Sequence, residues 1–210
     1  TNNDSAYAAA ADMMAAGIEI ASIVDSRTNI NDAMRELVGD IPILINHVII
    51  STVGRRRVRA VTVESRETGN SPSIKSIDCD LLCISGGWNP TIHLYSQSRS
   101  KLQYDDDLAA FVPHKAVQAC ECVGAAAGKF ELGDILLGGN EAGARASNDC
   151  GFNPVATAVP STDSSVPYSI EPLWQVNSSD TSANAFVDIQ NDVTLNDVHL
   201  AVREGFGAIE

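Results

Sequence analysis

Four apolar residues in succession, Leu81-Leu82-Cys83-Ile84, constrain this chain more than any other feature. Successive side chains of a strand face opposite sides, so such a run is covered on both faces only at the centre of a layered sheet. The reading is therefore a buried central strand over Ile77–Ser85. The segments before it supply the layers. Asp4 or Ser5 can cap a helix through the Ala-rich stretch Ala6–Ala16, and Gly17 stops it. Ile18–Val24 reads as a strand ending at Asp25, and a second helix spans Asn31–Val38 up to Gly39. Two alternating runs, Ile43–Val53 and Val58–Glu64, joined by the basic turn Gly54-Arg55-Arg56-Arg57, predict an antiparallel hairpin. Thr68–Pro72 is a polar break.

Helix, strand, helix, hairpin and return strand make up the back half of a dinucleotide-binding unit whose first strand would precede Thr1. The expected fold class is thus α/β, a partial two-dinucleotide-binding-domain architecture with an irregular C-terminal extension. Residues 1–75 form a second nucleotide-binding-type segment with its hairpin, and 76–148 the returning part of a first one. Residues 149–185 read as a linker, and 186–210 as the start of a following helical segment. Within the second block, 133–147 suits a small-residue helix packed closely on a sheet. Both ends read as internal to a longer polypeptide: Thr1 opens almost directly into a helix, and Leu200–Glu210 still reads as structured chain.

Charge narrows the partners. Fourteen basic residues against 27 acidic ones give −13 over 210 residues, which excludes a nucleic-acid or anionic-membrane binder. No apolar run reaches the ~18–20 residues that cross a bilayer. After Cys150 the composition shifts: residues 151–210 hold Arg203 against eight acidic side chains. Pro154–Asn184 is rich in Pro, Ser, Thr and Asn, as covering loops are. Thr194-Leu195-Asn196-Asp197 resembles a capping box with Asp in the place of Glu, opening a helix to about Glu204. Five cysteines (Cys79, Cys83, Cys120, Cys122, Cys150) with no signal peptide point to a reduced, cytoplasmic setting. Cys79 and Cys83 would lie roughly 13 Å apart along a strand, too far to share a metal, so no metal site is assigned.

The chemistry-bearing signals sit at strand ends. An acidic residue closing the second strand of a dinucleotide fold binds adenosine ribose hydroxyls. Asp25 stands at that place, just over twenty residues after the Thr1–Asp4 turn, and would favour NAD over NADP; Arg27 weakens that preference. A plain strand-end Asp capping a turn explains Asp25 equally well. The turn Thr1–Ser5 lacks the glycines of a phosphate loop, and Asp4 would repel a pyrophosphate. Gly86-Gly87-Trp88-Asn89-Pro90 follows the predicted central strand, where open α/β sheets bind cofactors. Val123-Gly124-Ala125-Ala126-Ala127-Gly128 precedes a helix, where free amides favour phosphate. No catalytic set emerges from His47, His93, His114 and His199. The arginines at 55–57 and Arg59 read as a solvated hairpin tip or, less simply, a docking patch for an acidic partner.

Ser85-Gly86-Gly87-Trp88-Asn89-Pro90-Thr91-Ile92-His93-Leu94-Tyr95-Ser96-Gln97, with Lys101-Leu102 and Phe111-Val112-Pro113, resembles the α subunit of heterotetrameric sarcosine oxidase. Thr1–Tyr7, Val24–Arg27, Phe186–Asp192 and Leu200–Gly205 are similar to that family as well, and the likeness is weakest over 149–184. The resemblance implies a flavoenzyme complex that oxidatively demethylates sarcosine to glycine, reduces oxygen to hydrogen peroxide and passes the one-carbon unit to tetrahydrofolate. It implies NAD in this subunit, a folate-binding domain further along it, and FAD and FMN on or beside a partner subunit. NAD would then rest against Gly86, Gly87, Trp88, Asn89, Gly124, Ala125 and Ala126, with Asp25 and Arg27 at the other nucleotide fold. Ala125 stands where related flavoprotein reductases carry Asp, which disfavours FAD there. Two other readings remain open: a related opine or secondary-amine oxidase or dehydrogenase, and a non-catalytic interaction scaffold with a degenerate nucleotide site.

Overall fold

The computed structural model describes residues 1–67, 73–155, 157–163, 168–176 and 185–207; the predicted break at Thr68–Pro72 and parts of the predicted linker lie outside them. The chain divides into two compact units, Thr1–Trp174 and Gln175–Glu210. It is mixed α/β with small sheets.

In the first unit, helix α1 (Ser5–Ala15) ends at Gly17, whose φ of +83° only glycine takes without strain. Strand β1 (Ile23–Asp25) pairs in parallel with β2 (Ile43–Ile45), and α2 (Asp32–Val38) connects them. Asn31 caps α2 by accepting from the Ala33 N–H, and Gly39 closes it with a positive φ. Tyr7 and Ala10 of α1 meet Ile23, Ile30, Met34 and Val38 in one buried cluster, flanked by Ile20, Ile41, Ile43 and Ile45. The apolar periodicity of both helices is what closes this core.

The predicted hairpin forms as β3 (His47–Val53) against β4 (Ala60–Ser65), extended by antiparallel β5 (Ile74–Asp78). The single predicted run Ile43–Val53 is split, because Asn46 takes a left-handed φ of +57° and turns the chain from one sheet into the next. Further along, α3 (His93–Gln97) precedes a second hairpin, β6 (Lys101–Asp105) with β7 (Ala110–Lys115), whose Tyr104 and Phe111 rings pack edge-on. A 3-10 turn at Gly124–Ala127 leads to α4 (Leu132–Asp149), so the helix expected over 133–147 is present and slightly longer.

Two expectations fail within the described residues. Only Ile23 and Val24 of the predicted strand Ile18–Val24 pair, followed by Asp25, since β2 begins just after Pro42 and offers no longer partner. The predicted central strand fails more completely. Ile77 and Asp78 belong to the antiparallel edge β5, and Cys79–Ser85 runs on without entering a sheet. Leu81 is 67% exposed and Ile84 83%. An apolar run becomes a strand only where a neighbour supplies a ladder of hydrogen bonds; here Cys79 N–H donates to the Arg59 carbonyl, and from Asp80 on no described residue makes a backbone–backbone bond to the run.

In the second unit β8 (Phe186–Asp188) pairs with β9 (Val193–Thr194), which opens α5 (Leu195–Arg203). The capping box is present: Thr194 Oγ1 accepts from the Asp197 N–H, and the Asp197 carboxylate accepts from the Thr194 N–H. The Thr194 hydroxyl and then its N–H, both donating to the carboxylate, hold the Asp197 carboxyl below its ordinary pKa.

Candidate functional site

The turn before α1 and the end of β1 meet at one corner. Thr1 lies beside β1: its ammonium donates to the Val24 carbonyl at 2.7 Å, and its own carbonyl accepts from Ser26 N–H at 3.0 Å. The expected cap of α1 by Asp4 or Ser5 is not made: Asp4 holds the N-cap position without a side-chain bond to the helix, and Asn3 Oδ1 accepts from the Ser5 N–H and hydroxyl instead. That frees the Asp4 carboxylate to turn inward.

Arg27 spans two carboxylates there. Its Nη1 donates to Asp4 at 2.6 Å, and Nε and Nη2 donate to Asp25 at 2.8–3.2 Å. Asp25 also accepts from the Tyr7 hydroxyl at 2.8 Å and from the Arg27 backbone N–H at 2.9 Å. The Tyr7 ring lies 5.8 Å from the guanidinium carbon. Asp25 is 0% exposed and Arg27 3%. Burial alone would lower the Arg27 pKa, but its bonds to Asp25 and Asp4 outweigh it and hold the guanidinium charged. Burial, with the bond to Asp25, raises the Tyr7 phenol far above its usual range.

A distant segment closes this corner. Asp4 N–H donates to the Ser169 carbonyl, Ser169 N–H donates to Asp4 Oδ2, Arg27 Nη1 reaches the Ser169 carbonyl, and Asn3 bridges Ile170. The strip Tyr168–Glu171 thus lies over the start of α1. The Asp4 carboxylate sits at a helix N-terminus, where a phosphate would otherwise find its amides. In place of a ribose or a pyrophosphate, Asp25, Arg27 and Asp4 have protein partners.

The two glycine motifs are likewise partly filled from within. A side chain at Gly87, φ +103°, would collide with Ile170 Cδ1 at 2.5 Å. Tyr168 lies against the same glycine, its buried hydroxyl beside Trp88 N–H without closing a hydrogen bond, and burial raises its pKa. Tyr168 also packs edge-on against Phe130, 6.0 Å between centroids, next to the Gly124–Ala127 turn. Gly124, φ +64°, lies against Ile135 of α4, and Gly128 against Leu108. Gly86, Gly87, Trp88, Asn89 and Ala125 nevertheless remain open to solvent. Tyr168 and Ile170 were not legible as site residues, because their place depends on a chain reversal some eighty residues after Gly87.

The remaining candidates stay apart. Among the described residues no three His, Cys, Asp or Glu side chains gather as metal ligands, and the five cysteines are free thiols. Burial, with nearby Cys120, raises the Cys122 thiol pKa. Arg55, Arg56 and Arg57 are exposed at the tip of the β3–β4 hairpin. No helix of the described residues is long and apolar enough to cross a membrane.

Comparison with known proteins fits the resemblance read from residues 85–97. The whole chain is 34% identical to sarcosine oxidase subunit alpha of Corynebacterium sp. (strain P-1), covering 22% of that protein. It is 33% identical to the subunit of the same name from Corynebacterium sp. (strain U-96), covering 22% of it. The Rhizobium meliloti (strain 1021) subunit is 32% identical, with 20% of its length covered. This chain is similar, end to end, to part of sarcosine oxidase α subunits. Residues 182–210 also match the model of the sarcosine oxidase A3 domain. The chain spans about a fifth of the length of these relatives.

Proposed function

We propose that this chain is a region of the α subunit of a sarcosine oxidase-type, multi-subunit oxidoreductase, and that it serves there as nucleotide-domain scaffold. The end-to-end similarity to sarcosine oxidase α subunits carries the reading. No residue here is assigned to the amine-oxidising step: no nucleophile, base and orienting partner come together among the groups described above. Oxidative demethylation of sarcosine, with FAD and FMN, belongs in this reading to partner polypeptide. Transfer of the one-carbon unit to tetrahydrofolate belongs to a domain outside these residues.

NAD is the cofactor proposed for the intact subunit, where it would supply a bound adenine dinucleotide rather than a step in this chain. The residues present fit it only in part. Gly86, Gly87, Trp88, Asn89 and Ala125 face solvent and can border a dinucleotide, while Gly124 and Ala126 shape the backbone behind them. Asp25 and Arg27 do not fit: every oxygen of Asp25 is engaged and both residues are buried. We therefore leave them out of the ligand set. The same closure favours a second reading, an interaction scaffold without nucleotide.

Acid release from the purified full-length subunit, followed by enzymatic cycling, decides between them. The expected result is about one NAD per subunit, lowered several-fold in Trp88→Ala and unchanged in folded Asp25→Asn. Stoichiometric FAD would overturn the cofactor assignment, and a nucleotide-free subunit would favour the second reading.

A further inference from the structure

The strip Tyr168–Glu171 backs the glycine loop Gly86–Asn89. Alternation along an extended chain sends Tyr168 and Ile170 to one face, and both meet Gly87 there. Ile170 Cδ1 lies 2.5 Å, and the Tyr168 hydroxyl 3.1 Å, from the place a Cβ on Gly87 would take. Ile170 therefore fills the room that the missing side chain leaves. The other side of the loop is open, since Gly86, Gly87, Trp88 and Asn89 are exposed. Residues 80–91 make no backbone–backbone hydrogen bond among the described residues, so side-chain contacts must hold the loop. At its entry Asn3 Nδ2 donates to the Ser85 carbonyl at 3.3 Å and to Ser85 Oγ at 3.1 Å. At its middle the contacts are those of Ile170 and Tyr168.

The strip is itself anchored to the buried corner. Asp4 N–H donates to the Ser169 carbonyl at 3.1 Å and Glu171 N–H to the Asn2 carbonyl at 3.0 Å, the two bonds that flank the Asn3–Ile170 bridge. Ser169 N–H donates to Asp4 Oδ2 at 2.9 Å, and Arg27 Nη1 donates to the Ser169 carbonyl at 3.2 Å. On its far side Tyr168 packs against Phe130. A fully paired ionic network is a rigid base, so the corner that takes no ligand fixes the strip that meets the loop.

We propose that Ile170, seated on the Asp4–Arg27 corner by this strip, is a positioning residue for the nucleotide site. It holds the backbone of Gly86–Asn89 in the shape whose open face borders a dinucleotide, and it touches no ligand itself. A loop without backbone bonds loses conformational freedom when a ligand orders it, and a loop already held from behind loses less. The inference rests on the NAD reading for the identity of the ligand, but the holding of the loop is measured separately from it.

Two measurements on the purified full-length subunit test it. Chymotrypsin cleavage after Trp88 in nucleotide-stripped subunit, followed by mass spectrometry, reports how firmly the loop is held, and the site at buried Tyr7 reports that the core is folded. Ile170→Ala should speed the Trp88 cut about tenfold with Tyr7 uncut, because cleavage follows local opening. The same variant should release bound NAD about tenfold faster in a cycling assay, since lost preorganisation appears in the off-rate. Ile170→Met, which restores the volume, should return both rates to within about twofold of wild type. Should Ile170→Ala fail to fold, Ile170→Val, which lacks only the Cδ1 that meets Gly87, should move both rates the same way by a smaller factor. Unchanged cleavage or unchanged NAD release in the folded variant overturns the proposal. Slower release overturns it too, being the result of a strip that competes for the ligand's place. A nucleotide-free wild-type subunit overturns the NAD reading alone, and the Trp88 cut then decides whether Ile170 holds the loop.

Discussion

The corner built by Asp4, Tyr7, Asp25 and Arg27 and the run from Cys79 to Asn89 both carry sequence signals of a nucleotide fold, and the structure treats them oppositely. At the corner every charged group has a partner and almost no surface remains. Past Cys79 the run makes no backbone–backbone hydrogen bond among the described residues, and Leu81, Ile84 and Trp88 face outward, Trp88 being 59% exposed. A buried carboxylate must find its donors within the fold or stay uncharged, so the corner is complete in itself. An apolar strand needs only a neighbour, which can come from outside these residues.

Removing the guanidinium is the strongest way to break this contrast. Arg27→Met leaves two buried carboxylates without their cation, and such losses cost about 3–5 kcal/mol. Urea denaturation of the subunit should show that loss, with Arg27→Lys between the two because one ammonium cannot serve Asp4 and Asp25 together. A loss below about 1 kcal/mol would mean the corner is not closed as described. Tyr7→Phe sharpens the same point, at about 1–3 kcal/mol for one hydrogen bond to a charged acceptor. Because the folded phenol pKa is raised, its contribution is whole below about pH 10 and fades as pH rises toward the folded value. The gap between wild type and Tyr7→Phe should therefore narrow only in strong alkali.

What could be read in advance follows the range of the interactions. Gly17, Gly39 and the Thr194–Asp197 box act over two to four residues, and each is found where its sequence places it, while the equally local cap expected from Asp4 or Ser5 gives way to Asn3, which takes the Ser5 N–H. Asp25 was readable as a strand end but not as an ion-pair partner, since the groups that decide its role include Tyr7, 18 residues away. Ser169, 142 residues from Arg27, carries no local signal at all. The run Leu81–Ile84 shows the converse: its pattern states that both faces are to be covered, but not by what.

The local end of that scale is testable at α5. Thr194→Ala should cost about 1 kcal/mol and reduce helicity over Leu195–Arg203, read from backbone chemical shifts. The folded Asp197 carboxyl has a lowered pKa, so its share of the cap is present above about pH 4 and is lost as pH falls through the folded value. In Thr194→Ala this acid-dependent fraying should shrink.

The smallest effect bears on the exposed side of the comparison. Ile84 is 83% exposed, so within the 210 residues Ile84→Ser removes almost no burial and should change stability by no more than about 0.5 kcal/mol. Arg27→Met, in the same chain, should cost several times that. In the full-length subunit, a neighbour that covers Leu81–Ile84 would invert the prediction for Ile84 alone, and Ile84→Ser should then cost about 1–3 kcal/mol as a lost core side chain does. Paired denaturation of the short and full-length chains reads both numbers. Equal, small losses in the two would leave Ile84 an ordinary surface residue, and the contrast between a complete corner and an incomplete edge would fall.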